Sequence, residues 1–232
     1  MIEVKKIKKS FNNVDAVNIE SLSLNSGEIV GLVGNNGAGK TTLLRLMLDL
    51  YKADAGLITS KGENVHGSEH WKLYTGSYLD PSFLIDFYTP EEFFYFSAHL
   101  YGISKDEVDN RLLAFEDFMS GEIIGTKKYI RNLSAGNQQK VGIVSSILVQ
   151  PDVLILDEPF NFLDPSSQII LSQLIINLNK IKGSTIIVSS HNISYTTEMS
   201  SRTILMERGK VLKDVSKGSA KEISNYFSEQ VK

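Results

Sequence analysis

The sequence predicts an α/β fold with a largely parallel central sheet and an inserted helical lobe, and three observations carry that prediction. Short apolar runs, too brief for helices, recur at Ile29–Val33, Val153–Leu156 and Thr185–Ser189. Segments of helical spacing alternate with them, as crossover connections between parallel strands require. A block from about 90 to 132 carries helix caps and helical periodicity but no convincing strand. At 232 residues, with 42% apolar and 22% charged residues, the chain suits one globular domain over 1–232, its core formed by 1–89 and 133–232.

Along the chain, Ile2 and Val4 alternate with polar residues and read as an edge strand. Lys5, Lys6, Lys8 and Lys9 follow as a basic cluster, read as the solvated edge of that strand ahead of a binding patch. The run Ile29-Val30-Gly31-Leu32-Val33 is a buried strand ending in Gly34, and Thr41 to Leu50 is a helix with Leu43, Leu44, Met47 and Leu48 on one face. Thr89-Pro90-Glu91-Glu92 is a capping box with proline at the first helical position, and Ser104 with Glu107 repeats the box. Gln138 to Val149 is a helix that Pro151 ends, and Val153–Leu156 is a buried strand. Asp164 caps the next helix and Gly183 closes it. Thr185–Ser189 is a further strand, Ile204–Met206 and Lys210–Leu212 form a hairpin around Arg208-Gly209, and the tail from Lys217 to Lys232 reads as a polar terminal helix.

Bulk properties exclude several classes. The net charge of −3 offers no electrostatic case for nucleic acid, and none is expected as a partner. The absence of cysteine removes disulfides and thiolate metal sites. No apolar run approaches the roughly 18 residues of a spanning helix, and Met1–Lys6 lacks the apolar core of a signal peptide. A cytoplasmic location follows as the expectation, with any membrane role exercised through a partner.

The chemistry lies in two motifs. Gly34-Asn35-Asn36-Gly37-Ala38-Gly39-Lys40-Thr41 matches G-x-x-x-x-G-K-[ST] between a strand and a helix. Glycines let backbone N–H groups turn toward phosphate oxygens, and the following helix points its positive end at the same anion. Lys40 adds a full charge at the β- and γ-phosphates, and Thr41 offers a hydroxyl to Mg²⁺. The second motif is Asp157-Glu158 at the end of a buried strand: Asp157 suits the hydration shell of Mg²⁺, and Glu158 suits polarisation of water. A pair of turn acids is the bland alternative, and the phosphate loop weakens it.

With these motifs in their order, the chain resembles the nucleotide-binding domains of ATP-binding-cassette (ABC) transporters over nearly its whole length. Leu133-Ser134-Ala135-Gly136-Asn137 resembles the family signature L-S-G-G-Q, Asn161-Phe162-Leu163-Asp164 the dimer-contacting loop, and Ser189-Ser190-His191 the strand ending in the switch histidine. The resemblance implies a P-loop NTPase fold with an N-terminal antiparallel β element. It implies that Phe11 stacks on adenine, that Val17 is a further nucleotide contact, and that Asn35, Asn36, Gly37, Ala38, Gly39, Lys40, Thr41 and Thr42 wrap the phosphates of ATP. Glu158 would be the general base, His191 would touch the γ-phosphate, and Lys40 would share in catalysis. Ser134, Gly136 and Asn137 would complete the site on an opposite subunit, either a second copy or a paralogous ATPase.

The sequence departs from the family at two places. Asp80 stands at the position of the family's loop glutamine and joins Thr41 and Asp157 as a candidate Mg²⁺ ligand. The signature has Ala135 for its first glycine and Asn137 for its glutamine; a Cβ restricts positive φ, so the site is expected to survive with slower closure of the pair. The implied function is the ATP-hydrolysing subunit of a transporter, exporting through a separate integral-membrane permease, on the inner face of the cell membrane. A soluble ATPase of the same family driving a cytosolic partner, and a weakly catalytic nucleotide-gated module, are the alternatives.

Overall fold

The computed structural model describes residues 1–191, 193–217, 223 and 226. In chain order the elements are β1 (Ile2–Phe11), β2 (Val14–Leu24), β3 (Ile29–Val33), α1 (Lys40–Met47), β4 (Ala55–Ser60), β5 (Glu63–Asn64), β6 (Thr75–Tyr78), α2 (Pro90–His99), α3 (Lys105–Leu112), α4 (Glu116–Met119), α5 (Ala135–Leu148), β7 (Val153–Leu156), α6 (Pro165–Lys182), β8 (Thr185–Ser190), α7 (Ile193–Met199), β9 (Arg202–Glu207) and β10 (Lys210–Ser216). Of the terminal helix expected over 217–232, all but Lys217, Ile223 and Tyr226 lie outside the described residues.

Two sheets form. The larger has the order β10-β9-β3-β8-β7-β6, parallel except for the β9–β10 hairpin. The smaller, β2-β1-β4-β5, is antiparallel. Period-two alternation along the parallel strands divides the core. Leu154, Leu156, Ile186 and Val188 face one side, where Val141, Val144 and Leu148 of α5 meet Phe94 and Phe118 of the helical segment in one continuous cluster. Val153, Ile155, Ile187, Val30 and Leu32 face the other, against Leu43, Leu44 and Met47 of α1 and Ile2, Val4 and Ile7 of β1.

β1 corrects the expected edge strand: it is hydrogen-bonded on both sides, to β2 and to β4. The register with β4 shifts between Lys5 and Lys8, where Lys6 takes a φ of 48°, and the extra residue returns Ile7 to the core face. The lysines meet acids of the same region, Lys8 with Asp15 at 3.2 Å and Lys9 with Asp54 at 2.9 Å, which accounts for the basic cluster without a ligand. The helix expected to reach Leu50 stops at Met47, where Leu48 caps it and Asp49 turns to a φ of 51°.

The helical segment starts as its caps dictate. The Thr89 hydroxyl accepts from Glu92 N, and the Glu92 carboxylate accepts from Thr89 N at 2.8 Å, so both halves of the box form. At α3 only half forms: Ser104 accepts from Glu107 N, while the Glu107 carboxylate takes Arg111 one turn on, at 2.7 Å. An ion pair with a guanidinium outcompetes the backbone N–H as partner. Thr89→Ala is expected to lower stability by about 1 kcal/mol, read as a shift of the urea midpoint at unchanged slope. An unshifted midpoint would show that the cap contributes nothing.

Candidate active site

The site forms at the C-terminal ends of β3, β7 and β8, where ligands bind in open parallel sheets. Residues 34–39 leave β3 and feed α1, which begins at Lys40. Backbone hydrogen bonds fix the loop: Ala38 N to Asn35 O at 3.1 Å, Gly209 N to Ala38 O at 2.9 Å, and Asn18 N to Gly209 O at 2.7 Å. Gly39 has a φ of 100°, and a Cβ there would come within 2.3 Å of the Ala16 carbonyl oxygen, so only glycine fits. Asn35, Asn36 and Gly37 are exposed, Thr41 and Thr42 half-buried. Lys40 is 6% exposed; its Nζ donates to Gly34 O at 2.7 Å and stands 3.4 Å from Glu158 Oε1.

β7 delivers Asp157 and Glu158 onto this loop. Thr41 Oγ1 donates to Asp157 Oδ2 at 2.6 Å, and Ser189 Oγ at the end of β8 donates to Asp157 Oδ1. Burial pushes the Asp157 carboxyl pKa up, against the hydrogen bonds from Ser189 and Thr41 that favour its ionised form. Glu158 N donates to Ser189 Oγ at 2.9 Å, and the Glu158 backbone takes a φ of 47°, a region non-glycine residues seldom occupy. Glu158 Oε2 accepts from His191 N at 3.2 Å and lies 2.8 Å from His191 Nδ1. Lys40, Thr41, Asp157, Glu158 and His191 are thus joined through direct contacts.

The remaining candidates fall into three groups. Ser134 caps α5 and accepts from Asn137 N, the Asn137 amide donates to Glu122 at 3.2 Å, and Gly136 approaches the following loop so closely that a Cβ would stand 2.7 Å from Phe162 O. Phe162 itself is 72% exposed. Ala135 is the first residue of α5 and is absent from the positive-φ residues, so its Cβ meets no backbone constraint; the expectation of slower closure on that ground is corrected. Phe11 is exposed, with its ring edge-on to Tyr51 at 5.4 Å, whereas the Val17 side chain is fully buried in the core and is not presented as a nucleotide contact.

Asp80 enters a different set of contacts from the one expected. One carboxylate oxygen accepts from Ser82 N at 2.9 Å, and the other from Arg45 Nη2 at 3.2 Å, while Arg45 Nη1 donates to Tyr51 OH at 2.8 Å. The acid at the position of the family's glutamine is paired with a guanidinium on α1. Among the described residues, no group of three or more His, Cys, Asp or Glu is placed to hold a metal by itself. Thr41 and Asp157 nonetheless supply the hard oxygen pair that suits Mg²⁺, an ion that keeps several waters and takes the rest of its shell from substrate phosphates.

Sequence reasoning missed Ser189, Gln139 and Arg45. Ser189 was within reach, two residues before His191 at a strand end. Arg45 lies one turn beyond Thr41, and nothing local marks its partners.

A glycine-rich loop at the strand ends, with a lysine, a hydroxyl and two carboxylates beside it, defines a P-loop nucleotide-binding protein. Residues 17–161 match the sequence model of the family described as "ABC transporter". Among curated relatives, the uncharacterized ABC transporter ATP-binding protein sll0415 of Synechocystis is 33% identical over 86% of this chain and 56% of its own length. The spermidine/putrescine import ATP-binding protein PotA of Haemophilus influenzae is 30% identical over 96% of this chain and 59% of its own. A solved structure described as the ATP binding subunit of an ABC transporter superposes with a TM-score of 0.85 at 26% identity, over 98% of this chain and 93% of that one. The chain belongs to the ABC transporter family, as an ATP-binding cassette. It spans little more than half the length of the two curated relatives.

Proposed function

We propose that this chain binds and hydrolyses ATP to power transport, in the export direction, through a separate integral-membrane permease. The observation that carries the reading is the convergence of Lys40, Thr41, Asp157, Glu158 and His191 at three strand ends. Lys40 and the first N–H groups of α1 hold the β- and γ-phosphates. Thr41 and Asp157 hold Mg²⁺, which neutralises phosphate charge when bound. Glu158 accepts the proton of the attacking water, and His191, whose Nδ1 lies 2.8 Å away, orients that carboxylate and leaves its other ring nitrogen for the γ-phosphate. Phe11 supplies an exposed face for adenine.

Two copies, or one copy and a paralogous subunit, close head to tail over two ATP molecules. Ser134, Gly136 and Asn137 of each face the nucleotide held by the other. Ser134 and Ala135 are exposed at the start of α5, as this arrangement needs. The helical segment over 90–132 is the lobe that meets the permease at the inner face of the membrane. Phe96 and Leu100 are 42% and 62% exposed along it, and Phe83, just ahead of it, is 51% exposed. No helix among the described residues is long and apolar enough to cross a membrane.

Phosphate release from Mg-ATP by the purified chain tests the enzymatic part, and a chain that binds ATP without releasing phosphate contradicts it. Co-purification of a multi-span polypeptide with the chain from solubilised membranes tests the transport part; recovery with cytosolic partners alone contradicts it. The Arg45 pairing gives a sharper expectation for Asp80. Asp80→Asn should leave the Mg²⁺ concentration for half-maximal hydrolysis within about twofold of the parent, because Thr41, Asp157 and the phosphates complete the shell. An increase of roughly tenfold or more would place Asp80 at the metal.

A further inference from the structure

The signature helix and the catalytic carboxylate are fastened together inside one chain. Gln139 lies on α5, five residues after its Ser134 cap, and is 3% exposed. Its Nε2 donates to the Glu158 carbonyl oxygen at 3.2 Å, and its Oε1 accepts from Tyr78 OH at 2.8 Å. The tyrosine hydroxyl and the carbonyl fix which end of the amide faces which partner. Asn161 N also donates to Glu158 O, at 3.2 Å, so the carbonyl is held from both sides. One turn earlier, Gly136 lies against Phe162 O. Gln168 of α6 closes the far side of the loop, donating to Phe160 O and Leu163 O at 3.1 Å each. The φ of 47° at Glu158 is the kind of backbone conformation that persists only when neighbours over-determine it.

We propose that Gln139 is a positioning residue through which the signature end of α5 sets the Glu158 peptide, coupling the two nucleotide sites of a pair. The inference rests on the head-to-tail reading above. In that arrangement Ser134 serves the partner's ATP, while Glu158, beside Lys40 and His191, serves the chain's own. α5 therefore touches one site at its tip and the other at its second turn. A shift of α5 on engagement of the partner's γ-phosphate moves the amide of Gln139. That amide carries the Glu158 peptide with it, because its hydrogen bond to the Glu158 carbonyl and that of Asn161 N together hold the peptide in place.

The test measures hydrolysis by the purified full chain against ATP concentration, for the parent, Gln139→Met and Tyr78→Phe. Methionine keeps the unbranched shape and removes both hydrogen bonds; Tyr78→Phe removes only the outer one. The parent should show sigmoidal dependence. Gln139→Met should lower kcat roughly tenfold or more, move the half-saturating ATP concentration less than about twofold, and bring the Hill coefficient toward one. Tyr78→Phe should lower the Hill coefficient in the same direction by less, and it carries the test if Gln139→Met does not fold, as judged by its thermal transition. Folded variants with the parent's kcat and cooperativity, a loss confined to half-saturation, or a hyperbolic parent each overturn the proposal. ATP-dependent pairing of a Glu158→Gln chain separates the two levels. If that pair forms and Gln139→Met stays cooperative, only this inference falls; if it does not form, the head-to-tail reading falls as well.

Discussion

Glu158→Gln is expected to abolish turnover, by roughly 10²- to 10⁴-fold, while ATP binding survives. The substitution is nearly isosteric and leaves the backbone contacts in place: Glu158 N still donates to Ser189 Oγ, and the carbonyl still accepts from Gln139. What it removes is the proposed proton acceptor and one negative charge. That charge stands 3.4 Å from the Lys40 ammonium, inside a site where Lys40 is almost fully buried. Neutralising it leaves Lys40 with the phosphates as its remaining anionic partners, so ATP affinity is expected to hold or rise. With cleavage blocked, the γ-phosphate keeps the pair shut, and sedimentation at saturating Mg-ATP should show a dimer that the parent populates only transiently. Hydrolysis at the parent's rate would show that the base lies elsewhere.

Lys40→Met is expected to act at the other end of the reaction, lowering ATP affinity about 10- to 100-fold with the fold intact. Methionine matches the length of the aliphatic stem and is tolerated in a buried position. The loop is held by backbone bonds that the substitution does not touch, from Ala38 to Asn35 and from Gly209 to Ala38. The lost interaction is a charge-assisted contact with phosphate in a partly desolvated site, where such contacts are strongest. The Glu158 carboxylate is also left beside the phosphates without its counter-ion, which adds repulsion to the loss. Nucleotide titration by calorimetry should separate this outcome from that of Glu158→Gln, and unchanged affinity would contradict the role of Lys40.

Much of this architecture is local in origin and could be read from the chain. The caps at Thr89 and Asp164, the αL stop at Gly183 and the strand β7 running into Asp157 each depend on a few consecutive residues. The glycine-lysine loop is of the same kind. What escaped depends on pairing across distance. β1 reads as an edge strand because its alternating pattern carries no record of β4, which joins it some fifty residues later. β2, β4 and β6 were not anticipated, and the placement of β3 between β8 and β9 is invisible to periodicity. In the site, Tyr78 and Gln139 meet across 61 positions and Gln139 reaches a backbone atom 19 positions on, so neither announces itself as part of a motif. The Asp80 pairing is hidden in the same way: its partner Arg45 sits on a helix 35 positions earlier.

The most direct test is a structure of the Glu158→Gln chain with Mg-ATP. Two copies should be found with each γ-phosphate within hydrogen-bonding reach of Lys40 from one chain and of Ser134 and the Gly136 N–H from the other. Nucleotide held by the lysine loop of isolated chains, with residues 134–136 remote from every phosphate, would contradict the account.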